Sequence, residues 1–261
     1  MKAKEIIAIL NRIAPQKLID SWDNTGFQIG DDEKTIKKII IALDLDDILA
    51  DKAIKEDYHM IITHHPLIFK SLKNINNNDY LGRLIMKLIS NDIVVYNAHT
   101  NLDLANGGVN DEFARLMNLQ NIRPLSQVII DDEKYGYGRI GEVEATDLLA
   151  VVNTIKSKLS VDDIRVYGNK DTIQRIAVCG GSGSDFIRDA FENNADMYIT
   201  GDIKYHDAQI ALQLGLVLVD AGHFHTEKII LPKLKDMLLK EVDAHVEIDV
   251  YMDTSVKYKI H

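Results

Sequence analysis

Ile, Val and Leu run almost without interruption through six short stretches: KKIIIALDL, HMIITHHP, DIVVYNAHTNLD, RIAVCGGSGSD, ADMYITGD and GLVLVDAGHFHTE. Such runs predict strands buried on both faces, the condition of strands covered by helices. Between them the apolar positions switch to helical spacing. Residues 4–13 place Ile6, Ile7, Leu10 and Ile13 on one face, and Pro15 marks the end of that helix. DDILADKAIKED predicts a helix opened by acidic residues, 80–90 another, and one lies near 146–159. One more follows each of GGSGSD and YITGD, and the last runs through 225–240. SWDNTGFQIG reads as a turn-rich segment and 125–170 as a more polar region holding GYGRIGEVEA. The alternating tail VEIDVYM predicts a half-exposed strand.

Strand and helix alternate throughout, so the fold class is α/β with a largely parallel or mixed sheet. A weak internal repeat adds detail. IIIALDLDDILADKAIKEDYHMIITHHP aligns with IAVCGGSGSDFIRDAFENNADMYITGDIK, each running strand, loop, helix and then Met-x-Ile-Thr. DIVVYNAHTNLD then lines up with GLVLVDAGHFHTE. The chain is therefore expected to form two related halves, 1–125 and 126–261, with C-terminal elements able to pack back on the first.

Composition narrows the classes. With 261 residues, 46% of them hydrophobic and 27% charged, the chain has the make-up of a soluble globular protein with a substantial core. No apolar run approaches the ~20 residues of a membrane span, and MKAKEIIAILNRIAP lacks the pattern of a signal peptide. Cys179 is the single cysteine, so no disulfide framework argues for export, and the cytoplasm is the expected location. A net charge of −10 weighs against nucleic acid as a partner.

The candidate chemistry lies at the strand ends, where open α/β sheets bind ligands. Six of the nine histidines fall in or just after strands: His64, His65, His99, His206, His223 and His225. His64 and His65 leave MIIT where the chain turns before Pro66, so both rings can converge. Asp103 follows IVVY and can bridge two cations. His223 and Glu227, spaced i and i+4, share a helix face, while His225 points elsewhere. His99 is a further ligand or an orienting partner, and His99 and His206 are the candidate acid–base groups.

His64, His65, Asp103, His223 and Glu227 supply three imidazoles and two carboxylates and no thiolate, a set suited to Zn, Fe, Mn, Co or Ni. Five ligands over-serve one tetrahedral ion, whereas two divalent ions sharing them keep positions open for water. The Gly180–Ser184 loop is either a backbone cradle for an anion or a tight strand-to-helix turn, and Cys179 reads as a small core residue.

Trp22-Asp23-Asn24-Thr25-Gly26-Phe27-Gln28-Ile29-Gly30 resembles the WDN-x-G signature of the Nif-three-like family, whose members are often labelled GTP cyclohydrolase 1 type 2 homologues. His64-His65-Pro66, the segment Ala98 to Asp103, Gly136 to Gly141, Thr200-Gly201-Asp202 and Gly222 to Glu227 fall in that family's order. The resemblance covers essentially the whole chain. It implies two intertwined, topologically related α/β halves with mixed sheets, and between them a dinuclear metal site on His64, His65, Asp103, His223 and Glu227. It also implies a ring-shaped homohexamer.

The activity expected from these readings is that of a metal-dependent hydrolase acting on a nucleotide-like or phosphorylated small molecule, with phosphoester cleavage as the second chemistry. The alternative is a non-enzymatic metal-containing binding or regulatory protein that works as a ring-shaped oligomer.

Overall fold

The computed structural model describes residues 1–254 and Val256. In chain order the elements begin with α1 (Ala3–Ile13), β1 (Gly26–Ile29), β2 (Lys38–Ala42), α2 (Asp47–Lys55), β3 (Met60–Thr63), α3 (Tyr80–Ser90), β4 (Val94–Asn97) and α4 (Thr100–Leu104). There follow α5 (Val109–Leu116), β5 (Gln120–Ile130), β6 (Glu133–Thr146), α6 (Leu148–Leu159), β7 (Arg165–Tyr167), β8 (Ile173–Ser182) and α7 (Ile187–Glu192). Then come β9 (Met197–Gly201), α8 (Tyr205–Leu214), β10 (Val217–Asp220), α9 (His223–Glu227), α10 (Ile230–Leu239) and β11 (Glu247–Val250).

The chain divides into two compact units. One comprises Met1–Leu102 and the residues from Leu231 onward; the other is Asp103–Ile230. Strand pairing and helix packing set the two boundaries. Strand β11 pairs in parallel with β2, from Glu247 beside Lys38 to Val250 beside Ile41, which returns the C-terminal residues to the first unit. At the other boundary, α5 buries Phe113 and Ala114 in the core of the second unit.

The first unit holds a five-stranded mixed sheet in the order β1-β4-β3-β2-β11, with only β1 antiparallel to its neighbour. On one face Ile40, Ile61 and Val95 pack with Leu49 and Ala53 of α2 and Leu84 and Leu88 of α3. On the other, Ile39, Ile41, Ile62 and Tyr96 are equally buried, and the Tyr96 hydroxyl donates to Asn11 Oδ1 of α1 at 2.8 Å. Asp46 and Asp79 open α2 and α3 by accepting from the backbone N–H groups of Leu49 and Gly82, both at 2.8 Å.

The second unit holds a six-stranded mixed sheet in the order β5-β6-β8-β9-β10-β7. Ile176, Val178, Ile199 and Val219 face Val151 and Ile155 of α6, while Ala177, Tyr198 and Leu218 face Ile187 of α7 and Ala211 of α8. Helices thus cover both faces, as the uninterrupted apolar runs require. The repeat is visible in the topology: β2-α2-β3-α3-β4 and β8-α7-β9-α8-β10 each place three consecutive strands side by side in parallel.

Three elements depart from the sequence reading. SWDNTGFQIG is not only a turn, because Gly26–Ile29 forms the edge strand β1 against β4. The polar region begins with a long hairpin, β5 and β6, turned through Asp131 and Asp132 at φ 51° and 61°, the left-handed pair of a two-residue hairpin loop. The helix expected through 225–240 is two helices, α9 and α10. Pro232 has no N–H for the Lys228 carbonyl and its ring crowds that carbonyl, so one helix cannot continue across both.

Tyr96 gives the first unit a measurable pH dependence. Burial pushes its hydroxyl up to about 12. The unfolded chain releases the same proton near pH ~10, so this contribution is complete below that value and is lost as the pH rises through the folded value. The shift corresponds to about 2–3 kcal/mol. Urea unfolding of wild type and Tyr96→Phe should show the wild type losing more stability by about that amount between pH ~9 and ~12.

Candidate metal centre

Strand ends in the first unit bring three imidazoles together. The ladder continues past β3, with the His64 and His65 N–H groups donating to the carbonyls of Ala42 and Leu43 at 3.2 and 2.9 Å. Thr63 Oγ1 donates to the His65 carbonyl at 2.7 Å and tightens the exit before Pro66. His99 leaves β4 beside them. The ring centroids of His64, His65 and His99 lie 5.1, 5.2 and 5.6 Å apart, and one ring nitrogen from each falls within 4.8 Å of the others. His64 is buried at 2% exposure.

Each of these rings has its Nδ1 on an acceptor. His64 Nδ1 lies 2.8 Å from the Ala98 carbonyl, His65 Nδ1 2.7 Å from Asp44 Oδ1 and His99 Nδ1 2.9 Å from Asp23 Oδ1. A carbonyl or an ionised carboxylate only accepts, so Nδ1 carries the hydrogen and Nε2 of a neutral ring keeps its lone pair. Asp23 is enclosed. Burial works to raise its carboxyl, but His99, Thr25 and Thr100 outweigh this and hold it well below the ordinary range. Its Oδ2 accepts from Thr100 Oγ1 at 2.8 Å, which ties it to the start of α4.

The second unit has its own group. His223 and Glu227 stand one turn apart on α9, and His223 Nε2 lies 3.0 Å from Glu227 Oε2. His223 Nδ1 is 2.7 Å from Asp202 Oδ2, so the Nε2 of a neutral ring faces a carboxylate oxygen. Two lone pairs at that distance are reconciled by a proton or by a cation between them, and ~3 Å suits two ligands whose bonds to one ion are ~2.0–2.2 Å. Glu227 is buried at 4% exposure, where a carboxylate requires a cation or several donors. Asp103, on α4, is half-buried, and its backbone carbonyl accepts from Asn110 Nδ2 at 3.0 Å.

The donor set therefore fits divalent transition metals, with imidazoles whose Nδ1 rests on an acceptor, carboxylates and no thiolate. Cys179 stays outside this chemistry. Burial, with Asp103 and then Glu227 nearby, pushes its thiol up to about 12. His225 is turned away, with Nδ1 3.0 Å from Lys228 Nζ, and burial and that ammonium hold its ring below the ordinary value. His206 sits exposed on α8, 3.4 Å from Gln209 Oε1, and belongs to none of the metal-capable groups among the described residues.

The glycine-rich loop has a different job from the phosphate cradle considered for it. The N–H groups of Gly180, Gly181 and Gly183 donate to Asn110 Oδ1, Thr226 Oγ1 and Thr200 Oγ1 at 3.0, 3.0 and 2.9 Å, so these donors are committed inside the fold. The loop instead makes room for Glu227. Gly181 has φ +64°, and a Cβ there would sit 2.1 Å from Glu227 Oε1. The carboxylates that orient the rings, Asp23, Asp44 and Asp202, were not singled out by sequence reasoning. Their signal is position: Asp44 and Asp202 stand one or two residues past a buried strand, and Asp23 sits in the WDN motif.

Fold and side chains together define a mixed α/β protein with two mixed sheets and groups of His and Glu able to hold a metal ion. Residues 1–256 match the family Duf34/NIF3 (NGG1p interacting factor 3), and the chain belongs to that family. It is 38% identical, over 96% of each chain, to a Clostridium perfringens protein called GTP cyclohydrolase 1 type 2 homolog. A crystal structure of a Bacillus cereus protein related to NIF3 superposes with a TM-score of 0.92 at 27% identity, covering 100% of this chain and 99% of the other. The structure of reduced HcgD from Methanocaldococcus jannaschii gives 0.82 at 36% identity, covering 96% and 97%.

Gly181→Ala tests the packing around Glu227. Displacing that carboxylate and forcing a left-handed backbone on alanine should cost about 2–3 kcal/mol in urea unfolding. A loss below about 0.5 kcal/mol would mean that the carboxylate moves aside freely.

Proposed function

We propose that the chain is a metal-dependent hydrolase that holds two divalent transition-metal ions on His64, His65, Asp103, His223 and Glu227. Its substrate is a nucleotide-like or phosphorylated small molecule. The observation that supports the reading is the acceptor at Nδ1 of His64, His65 and His223, the arrangement that orients an imidazole whose Nε2 is to meet a metal ion. Membership of a family whose relatives bear the name GTP cyclohydrolase 1 type 2 homolog supports hydrolysis as the reaction class.

When bound, the two ions supply Lewis acidity and a water of lowered pKa. The protein's own residues do the rest. Asp103 and Glu227 bring negative charge that balances the cations, and the three imidazoles add neutral nitrogens. Asp44, Asp202 and the Ala98 carbonyl hold the rings at fixed angles, so little reorganisation accompanies binding. In this reading His99, with Nδ1 on Asp23 and grouped with His64 and His65, accepts or releases a proton at Nε2. A homohexamer belongs to the same reading, and sedimentation at six times the mass of the chain is its test.

Elemental mass spectrometry of protein purified without chelators should find about two transition-metal ions per chain, a value expected of a two-metal site. Asp103→Ala should lower that content sharply and abolish hydrolysis across a panel of nucleotides and phosphoesters assayed with several metals. Full activity in this variant would refute the proposal, and turnover at background with both metals bound would favour the non-enzymatic alternative. Asp202→Ala, which removes the acceptor that fixes His223, should weaken metal binding by about 10- to 100-fold in a chelator competition.

A further inference from the structure

Trp22 is the only tryptophan of the chain, and it is 59% exposed. Beside it Phe69 is 47% exposed, with the two ring centroids 6.0 Å apart and tilted by 53°. Both present themselves to the same imidazole: His99 stands edge-on to Trp22 at 6.1 Å and 82° and to Phe69 at 6.5 Å and 74°. Two large aromatic rings held in water at the rim of a titratable cluster mark a binding surface more often than a folding element.

The segment that carries Phe69 is pinned rather than loose. Asn24 Nδ2 donates to the Ile68 carbonyl, and the Ile68 N–H donates to Gln28 Oε1 at 2.9 Å. Asn24 and Gln28 belong to the same motif as Trp22, whose neighbour Asp23 orients His99. One short stretch of sequence thus places Trp22, supports Phe69 and sets the imidazole between them. The two rings themselves stay outside the core, since Trp22 and Phe69 are exposed.

We infer that Trp22 and Phe69 form a stacking platform for a planar aromatic ring of the substrate, a nucleobase or a ring like it, held against the His99 side of the site. The inference rests on the hydrolase reading for its reacting group and names the part of the substrate that the reading leaves open. A ring cannot enter between the two side chains, because a sandwich needs parallel faces ~7 Å apart, twice the ~3.5 Å contact of carbon atoms. The ligand therefore stacks on the open face of the Trp22 indole, and Phe69 forms a side wall. The occupant is a small molecule rather than a nucleic acid strand, because a chain of net charge −10 repels a run of phosphates.

The solitary indole makes the test direct, since all tryptophan fluorescence arises at the platform. Titration with adenosine 5′-monophosphate should change that fluorescence saturably, and ribose 5-phosphate at the same concentrations should not. By equilibrium dialysis, Trp22→Ala should bind the nucleotide about 10- to 100-fold more weakly, the loss usual for one stacked base, and Trp22→Phe should retain most of the affinity. Undiminished nucleotide binding by Trp22→Ala, equal responses to both ligands, or tighter binding of a single-stranded oligonucleotide would each overturn the platform. A Trp22→Ala protein with altered sedimentation and unaltered nucleotide binding would show the rings to be a contact between copies instead, and would also overturn it. Metal content separates this inference from the one beneath it. Loss of nucleotide binding with metals retained, in Trp22→Ala, supports the platform, whereas a wild type that binds metals and gives no fluorescence change refutes the platform alone.

Discussion

An acceptor placed at Nδ1 decides which nitrogen of an imidazole keeps its lone pair, and four rings of this protein are set that way. Their acceptors come from places where the backbone is already immobile: the end of β4 for His64, the loop after β2 for His65, the WDN motif for His99 and the end of β9 for His223. The buried strands matter to chemistry because they hold these acceptors still. A ring free to rotate or to change tautomer would offer a donor where a ligand is required.

The repeat shows how one scaffold serves two purposes. Thr63-His64-His65 at the exit of β3 corresponds to Thr200-Gly201-Asp202 at the exit of β9. The threonines are fully buried in both, each tying its strand exit to backbone. Beyond them the copies diverge. Where the first has His64, the second has Gly201, whose Cβ would lie 2.6 Å from the His223 backbone nitrogen, so no side chain fits. Where the first has His65, itself a candidate ligand, the second has Asp202, which holds His223. The same strand exit thus presents a candidate ligand in one unit and the support of a candidate ligand in the other.

Strands buried on both faces were readable because their residues are nearly all of one kind, and the five residues proposed as ligands stand out because they follow those strands. Legibility failed where one residue type serves several ends. Asp44 and Asp46 stand two positions apart; Asp44 orients His65 while Asp46 opens α2. In a sequence both look like helix-opening acids. The glycines of the 180–184 loop fitted an anion cradle or a tight turn equally by type, and only the inward hydrogen bonds to Thr200 and Thr226 separate the two. β1 and the β5–β6 hairpin were missed because edge and half-exposed strands mix polar residues and glycine with apolar ones. His206 followed a strand in sequence, yet the turn after β9 carried it onto the open side of a helix.

The single thiol has a use that follows from its seclusion. Cys179 lies on β8, the strand of the parallel triplet that borders the hairpin in the second unit, and its protonated, enclosed sulfur offers almost nothing to an alkylating reagent. Any labelling that does occur reports excursions in which that sheet comes apart. One cysteine, buried where it is, turns reagent uptake into a clock for the rarest openings of the second unit, read without denaturant.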